Sequence, residues 1–344
     1  MTAPIRTLVV DDSAFVRKIV REILSGSPLI EVVGVARDGE EALEMAEQLQ
    51  PDVVTCDLIM PRLDGVGFVR KQMARRAIPI LILTSSPHDG DKVIEALAAG
   101  AIDLVQKPTA LATEELRGIR EQLVEKVKTA MRAPLANLLD SELPVAPRIF
   151  SPHTLKVDIV VVGISTGGPQ GLRYLLPQLP KDFPVPLAIV LHMPIGYTAL
   201  FAEKLNEISR LEVREAKDGD VLRPGLALLA QAGRHLVFRR TSSNEVVAQL
   251  SVQPIEKIHR PSADVLFQSA AEIYRDRVLG VIMTGMGDDG KQGCAWIKAQ
   301  GGAVITEAES SCVIYGMPRS VVEAGLSDAA IPLTGMADAI LERI

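Results

Sequence analysis

Residues 159–169 read Ile159-Val160-Val161-Val162-Gly163-Ile164-Ser165-Thr166-Gly167-Gly168-Pro169, and the second half of the chain is organised around them. Four β-branched residues in succession, Ile159 to Val162, predict a strand buried on both faces, as found inside parallel sheets. The strand runs into Gly163, Ser165, Gly167 and Gly168, and a helical pattern follows Pro169. Gly163-Ile164-Ser165-Thr166-Gly167 fits the G-x-S-x-G form of a nucleophile elbow, in which a serine stands clear of the sheet at a sharp strand-to-helix turn. Amide groups of that turn, over Thr166 to Gly168, are placed to receive an oxyanion. The same residues also suit a plain connection whose serine only caps the next helix.

Working outward, Leu187 to Leu191 is another buried strand, with His192 at its carboxyl end. Ala227 to Ala230, His235 to Phe238 and Val246 to Val252 read as shorter strands, expected to form an antiparallel extension. A helix is expected over Ser262 to Tyr274. The strand Val278 to Met283 then ends in Thr284-Gly285-Met286-Gly287-Asp288-Asp289-Gly290. Ser165, His192 and an aspartate each follow a parallel-type strand, where one crevice is able to collect all three. A serine hydroxyl becomes a useful nucleophile when an imidazole takes its proton, and an aspartate fixes the tautomer of that imidazole. His192 taken alone is equally well a structural histidine. His235 and the run His259-Arg260-Pro261-Ser262 are weaker candidates; the run lines a groove or caps a helix.

The first hundred residues alternate strand and helix five times, beginning with Ile5 to Val10 and ending with Ile102 to Val105, the signature of a doubly wound parallel sheet. Asp11 and Asp12 end its first strand, Asp57 the third, Thr84 the fourth and Lys107 the fifth. Three carboxylates beside one lysine repel one another unless a cation joins them, and Mg2+ suits such an all-oxygen set. Asp57 is then placed to accept a phosphoryl group, with Lys107 and Thr84 neutralising and hydrogen-bonding it. Singly, Asp11 or Asp12 reads as a helix cap.

The chain has 344 residues, enough for two domains, with 47% hydrophobic and only 3% aromatic residues, so aliphatic side chains must fill the cores. A net charge of -6 leaves no electrostatic footprint for nucleic acid or an anionic membrane. No apolar run reaches the ~20 residues that span a bilayer, and no signal-peptide pattern opens the chain. Three cysteines, Cys56, Cys294 and Cys312, are an odd number and suit reduced thiols in a cytosol. A charged helical segment from Ala112 to about Arg132 leads into a proline-containing connector that includes His153.

The first domain resembles the receiver domain of bacterial response regulators, through Val9-Val10-Asp11-Asp12-Ser13, Asp57-Leu58-Ile59-Met60-Pro61, Asp64-Gly65, Thr84-Ser85 and Lys107-Pro108. The resemblance implies a flavodoxin-like fold, phosphorylation at Asp57, and Mg2+ held by Asp11, Asp12, Asp57 and the Ile59 carbonyl. Leu104 stands where many receivers carry an aromatic switch residue. The second domain is similar to the chemotaxis protein-glutamate methylesterase family. Val162 to Pro169, Leu191-His192-Met193-Pro194, His259 to Phe267, Thr284 to Gly290 and Gly316-Met317-Pro318 carry that likeness. It implies a parallel-sheet α/β esterase with Ser165, His192 and Asp289 as nucleophile, base and orienting acid. Asp288 falls at the variable position of the family motif. It further implies glutamate methyl esters on methyl-accepting chemotaxis receptors as substrate, glutamine deamidation, a chemotaxis histidine kinase as phosphodonor and a cytoplasmic location. The organisation expected is a receiver over 1–110, a helix and linker over 111–155, and a catalytic domain over 156–344, with the receiver gating the esterase.

Two rival readings come from other classes. One is a regulator whose output domain binds a partner such as DNA, although no basic recognition helix is present. The other is a dinucleotide-binding domain, because Gly285-x-Gly287-x-x-Gly290 follows a strand and Glu307 ends the next one at roughly the ~20-residue offset.

Overall fold

In a computed structural model the chain forms two compact units, residues 1–139 and 140–344. The structure describes residues 3–84, 89–107, 113–131, 133, 157–257 and 259–344, with only the backbone of 113–118. Ser85, Pro108, His153 and most of the expected linker lie outside these residues.

The first unit runs β1 (Ile5–Val10), α1 (Ala14–Ser25), β2 (Ile30–Ala36), α2 (Gly39–Leu49), β3 (Val53–Asp57), α3 (Gly65–Arg75), β4 (Ile80–Thr84), α4 (Gly90–Ala98), β5 (Asp103–Gln106) and α5 (Thr113–Ala130). All strand pairs are parallel, in the order β2-β1-β3-β4-β5 of flavodoxin-like folds. Helix starts are set by short polar side chains. Ser13 Oγ accepts the Val16 amide, Asp38 those of Glu40 and Glu41, and Asp64 that of Gly67. The Asp64 cap starts α3 at Gly65. The chain winds from β1 to β2 on one side and to β3 on the other. The crevice at that reversal receives the ends of β1 and β3. Leu104 is buried in β5 at 1% exposure.

The second unit continues with β6 (Ile159–Ile164), α6 (Gly168–Leu175), β7 (Leu187–Leu191), α7 (Thr198–Ile208), β8 (Glu212–Glu215), β9 (Leu226–Leu229), β10 (His235–Arg240), β11 (Val246–Ser251) and α8 (Ala263–Tyr274). Then come β12 (Val278–Ile282), α9 (Lys291–Ala299), β13 (Ala303–Glu307), α10 (Met317–Glu323), β14 (Ala329–Ile331) and α11 (Leu333–Leu341). The main sheet has seven strands in the order β14-β13-β12-β6-β7-β9-β8, and every pairing is parallel. The antiparallel extension is therefore smaller than the sequence suggests. Among the described residues only β10 and β11 form an antiparallel hairpin, while β9 joins the main sheet beside β7. The edge strands are short, four residues in β8 and three in β14, and β8 is largely polar, which hides them from a hydrophobicity pattern.

Every residue of β6 is buried. On one face Ile159 and Val161 join Ala188 and Val190 of β7 and Val278 and Ile282 of β12 in a cluster packed by Leu266, Phe267 and Ala270 of α8. Each buried Val, Leu or Ile contributes about 1.5–3 kcal/mol relative to exposure, so the aliphatic core compensates for the scarcity of aromatics. From β6 the chain winds outward to β7, β9 and β8, then crosses back to β12. That reversal puts a crevice at the carboxyl ends of β12, β6 and β7. Among the described residues no helix is long and apolar enough to cross a membrane.

Candidate active site

Ser165 follows β6, His192 follows β7, and Asp289 lies in the loop between β12 and α9. Backbone bonds tie these ends together: Ser165 N–H donates to the Thr284 carbonyl at 3.0 Å, Met283 N–H to Gly163 at 2.9 Å and His192 N–H to Ile164 at 3.3 Å. The side chains then meet in one line. His192 Nδ1 lies 3.1 Å from Ser165 Oγ, and its Nε2 lies 2.9 Å from Asp289 Oδ2. The carboxylate can only accept, so Nε2 carries the proton and the Nδ1 lone pair faces the serine hydroxyl. The ring is reversed relative to triads in which Nε2 faces the serine. His259 stacks on it, with ring centroids 4.3 Å apart and planes 15° from parallel.

The turn differs from the strained elbow its pattern suggests. Ser165 is not among the residues with positive φ; the left-handed position falls on Gly167, at φ 80°. A Cβ there would also lie 2.6 Å from Val313, so only glycine fits. Gly168 N–H donates to the Ser165 carbonyl at 2.6 Å, which commits one of the amides expected to receive an oxyanion.

Asp289 is held by more than the histidine. Oδ1 accepts the Ser262 hydroxyl at 2.7 Å and the Asp264 amide at 3.2 Å, while Oδ2 also accepts the Ala263 amide at 2.7 Å. The carboxylate thus caps the N-terminus of α8. Burial by itself would raise its pKa, but hydrogen bonds from His192, Ser262 and Ala263 outweigh that and hold it well below its ordinary 3.8. Asp264 reciprocates: its Oδ1 accepts Gly290 N–H at 2.9 Å and Gly293 N–H at 2.8 Å, capping α9, and its Oδ2 pairs with Lys257 Nζ at 2.8 Å. Two helices are cross-capped by two carboxylates, one of them in the triad. Asp288 is exposed and joins none of this. His235 is buried elsewhere, with Nε2 3.3 Å from the Pro254 carbonyl, and burial lowers its pKa.

The same contacts overturn the dinucleotide reading. The amides that open α9, where pyrophosphate would sit, already receive the Asp264 carboxylate. Glu307 is 1% exposed, far too enclosed to meet a ribose. The three cysteines are free and buried, and burial pushes their thiols up, away from reactive thiolates.

In the first unit the structure gathers Asp11, Asp12, Asp57 and Lys107 at the crevice. Lys107 Nζ lies 2.8 Å from both Asp11 Oδ2 and Asp57 Oδ1. One carboxylate oxygen from each of Asp11, Asp12 and Asp57 falls within 4.8 Å of the others, with Asp12 exposed to solvent. Burial raises the Asp57 pKa, and the Asp11 charge adds to this against the opposing Lys107 and Ile59 amide. Burial would lower Lys107, but its two carboxylate partners outweigh that and raise it. Three carboxylates against one ammonium leave net negative charge among hard oxygen donors, which fits Mg2+. Thr84 is buried at the end of β4, and its carbonyl accepts the Lys107 amide at 2.7 Å.

The family model described as CheB methylesterase matches residues 160–340, and the response regulator receiver domain matches residues 7–118. The chain belongs to the CheB methylesterase family. A Myxococcus xanthus relative, protein-glutamate methylesterase/protein-glutamine glutaminase 5, is 50% identical over 341 residues, covering 98% of this chain and 97% of its own. A relative of the same description from Symbiobacterium thermophilum is 43% identical, covering 99% and 97%. The crystal structure of the Thermotoga maritima CheB methylesterase catalytic domain superposes with a TM-score of 0.53 at 39% identity, covering 55% of this chain and 99% of that one.

Within this CheB methylesterase unit, several residues around the triad escaped the sequence reading. Ser262 was expected to cap a helix or line a groove, yet its hydroxyl serves the Asp289 carboxylate, and Asp289 does the capping. Asp264 had no assigned role. A pair of aspartates each followed by a helix was the available signal, but only the fold shows that the caps are exchanged.

Proposed function

We infer that this chain is a phosphorylation-regulated protein-glutamate methylesterase and protein-glutamine glutaminase. The observation that carries the reading is the hydrogen-bonded line Ser165–His192–Asp289 at the ends of adjacent parallel strands in a CheB methylesterase domain. His192 Nδ1 takes the Ser165 proton as Oγ attacks the γ-carbonyl of a glutamate methyl ester, and Asp289 stabilises the imidazolium that forms. The imidazolium returns the proton to the departing methoxide, so methanol leaves and an acyl-serine remains. Water, deprotonated by His192, attacks the acyl-serine and releases the glutamate carboxylate. With glutamine the leaving group is ammonia. General base catalysis of this kind contributes about 10²–10⁴-fold.

In the receiver, Asp57 accepts the phosphoryl group, Lys107 balances its charge and Thr84 hydrogen-bonds it. Asp11, Asp12 and Asp57 would hold Mg2+, which supplies charge neutralisation for the phosphoryl oxygens when bound. The partners proposed are methyl-accepting chemotaxis receptors as substrate and a chemotaxis histidine kinase as phosphodonor, in the cytoplasm. The test is methanol release from a methylated receptor fragment by the wild type and Ser165→Ala, each with and without a small phosphodonor and Mg2+. Release that requires Ser165 and rises with phosphodonor supports both halves; Ser165-independent release overturns the catalytic assignment.

A further inference from the structure

Glu307, at the carboxyl end of β13, is a buried ionisable group that the mechanism leaves unused. Its Oε2 accepts the Thr284 amide at 2.9 Å and its Oε1 accepts the Ser311 hydroxyl at 2.9 Å. The groups facing it are Thr284 from the β12–α9 loop, and Ser311 and Cys312 from the segment after β13. All three are neutral, since burial pushes the Cys312 thiol far up. Among the described residues no cation pairs with Glu307. A carboxylate kept in such a place without a counter-charge opposes folding unless its hydrogen bonds are needed.

Those bonds lead to the nucleophile in one step. The Thr284 carbonyl accepts the Ser165 amide at 3.0 Å. Thr284 Oγ1 donates to the Thr166 carbonyl at 3.0 Å and accepts the Ile314 amide at 2.9 Å. The next residue, Gly285, lies so close beneath the serine that a Cβ on it would stand 2.9 Å from Ser165 Cβ. Thr284 is therefore the floor of the Ser165 turn, and Glu307 holds its amide from below.

We propose that Glu307 is a positioning residue for Ser165, fixing the Thr284 backbone and thereby the distance from Ser165 Oγ to His192 Nδ1. The inference rests on the reading of Ser165 as nucleophile. It assigns a role to the residue whose ribose-ligand reading its burial overturns. Burial also raises the Glu307 carboxyl to about 7, so the strength of its grip on the Thr284 amide changes across neutral pH, because an ionised acceptor makes the stronger bond.

The test follows phosphonylation of Ser165 by a fluorophosphonate between pH 5.5 and 9, read by intact mass, alongside kcat and KM for a methylated receptor fragment. Full-length wild type, Glu307→Gln, Glu307→Met and Ser165→Ala are compared. Glutamine keeps an acceptor for Thr284 and a donor for Ser311, so its rate is expected within about threefold of wild type, with the pH dependence that Glu307 adds to that of the His192 base removed. Methionine offers only a weak thioether acceptor, so labelling and kcat are expected to fall about tenfold or more while KM stays within about twofold. A folded Glu307→Met protein that labels at the wild-type rate overturns the proposal. If that variant does not fold, Glu307→Gln decides: a pH profile superimposable on wild type is equally fatal. Methanol release by Ser165→Ala would instead overturn the triad reading, a distinct failure.

Discussion

Replacing Asp289 by asparagine probes both jobs of this carboxylate at once. An amide has one oxygen and one NH2, and each carboxylate oxygen of Asp289 faces a backbone N–H: Asp264 at 3.2 Å from Oδ1, and Ala263 at 2.7 Å from Oδ2. Whichever way the amide turns, one backbone donor meets another donor. The less costly orientation points NH2 toward the longer contact, where the Ser262 hydroxyl can reverse and accept. That orphans the Asp264 amide, at about 1–3 kcal/mol, and removes a negative charge from the start of α8. The sum is about 2–4 kcal/mol, equivalent to a drop of about 4–16 °C in the unfolding transition of the catalytic unit. In this orientation the oxygen still accepts from His192 Nε2, so the tautomer survives and only the charge behind the imidazolium is lost. The expected fall in kcat is then about 10- to 150-fold, the worth of a charge-assisted hydrogen bond of about 1.5–3 kcal/mol. This is well short of the ~10⁴-fold loss that accompanies the wrong tautomer. The sign with pH is also fixed. The Asp289 carboxyl is held below its ordinary 3.8, so its stabilisation is present above about pH 4 and disappears as pH falls through the folded value. The gap between wild type and Asp289→Asn must therefore begin to narrow as pH falls below about 4. Calorimetry on the full chain from pH 3 to 8 and methanol-release kinetics measure both. An unchanged transition with a ~10⁴-fold kinetic loss would refute the shared cap-and-triad role.

Gly285→Ala puts a Cβ 2.4 Å from Met317 Sδ and 2.9 Å from Ser165 Cβ; displacing the nucleophile should lower kcat about 10- to 100-fold with little change in KM, read from methanol release. Asp57→Asn should abolish phosphoryl incorporation from a small phosphodonor, measured by mass, and leave the esterase rate indifferent to that donor. Burial raises the Glu307 carboxyl from 4.5 to about 7, so its neutral form is favoured by folding. The advantage is complete below about pH 4.5 and is lost as pH rises through about 7, a change of about 3 kcal/mol. Thermal unfolding should show this slope in wild type and lack it in Glu307→Gln.

The central strands were legible because parallel strands buried on two faces are apolar runs: β6, β7 and β12 are unbroken ones, and β1 and β3 are mostly apolar. Their carboxyl ends carry the chemistry in both units, so naming the strands also named Asp11, Asp57, Ser165 and His192. β8 and β14 were missed because four and three residues at a sheet edge leave no periodicity to read. The strand Leu226–Leu229 was expected in an antiparallel extension because the pattern of a buried strand carries no information on the direction of its neighbour.

By itself, then, the sequence determined the buried central strands of both units and the strand ends on which Asp11, Asp57, Ser165 and His192 lie, since these follow from local pattern and from the geometry of parallel sheets. Tertiary structure alone decided which aspartate of the pair Asp288–Asp289 is buried, that His192 turns Nδ1 rather than Nε2 to the serine, and that Asp289 and Asp264 exchange helix caps. The histidine's orientation depends on side chains 27 and 97 positions away, and the exchanged caps on hydrogen bonds between residues some 25 positions apart whose donors are backbone amides. An amide has the same chemistry at every residue, so its partner can be read only once the chain is folded.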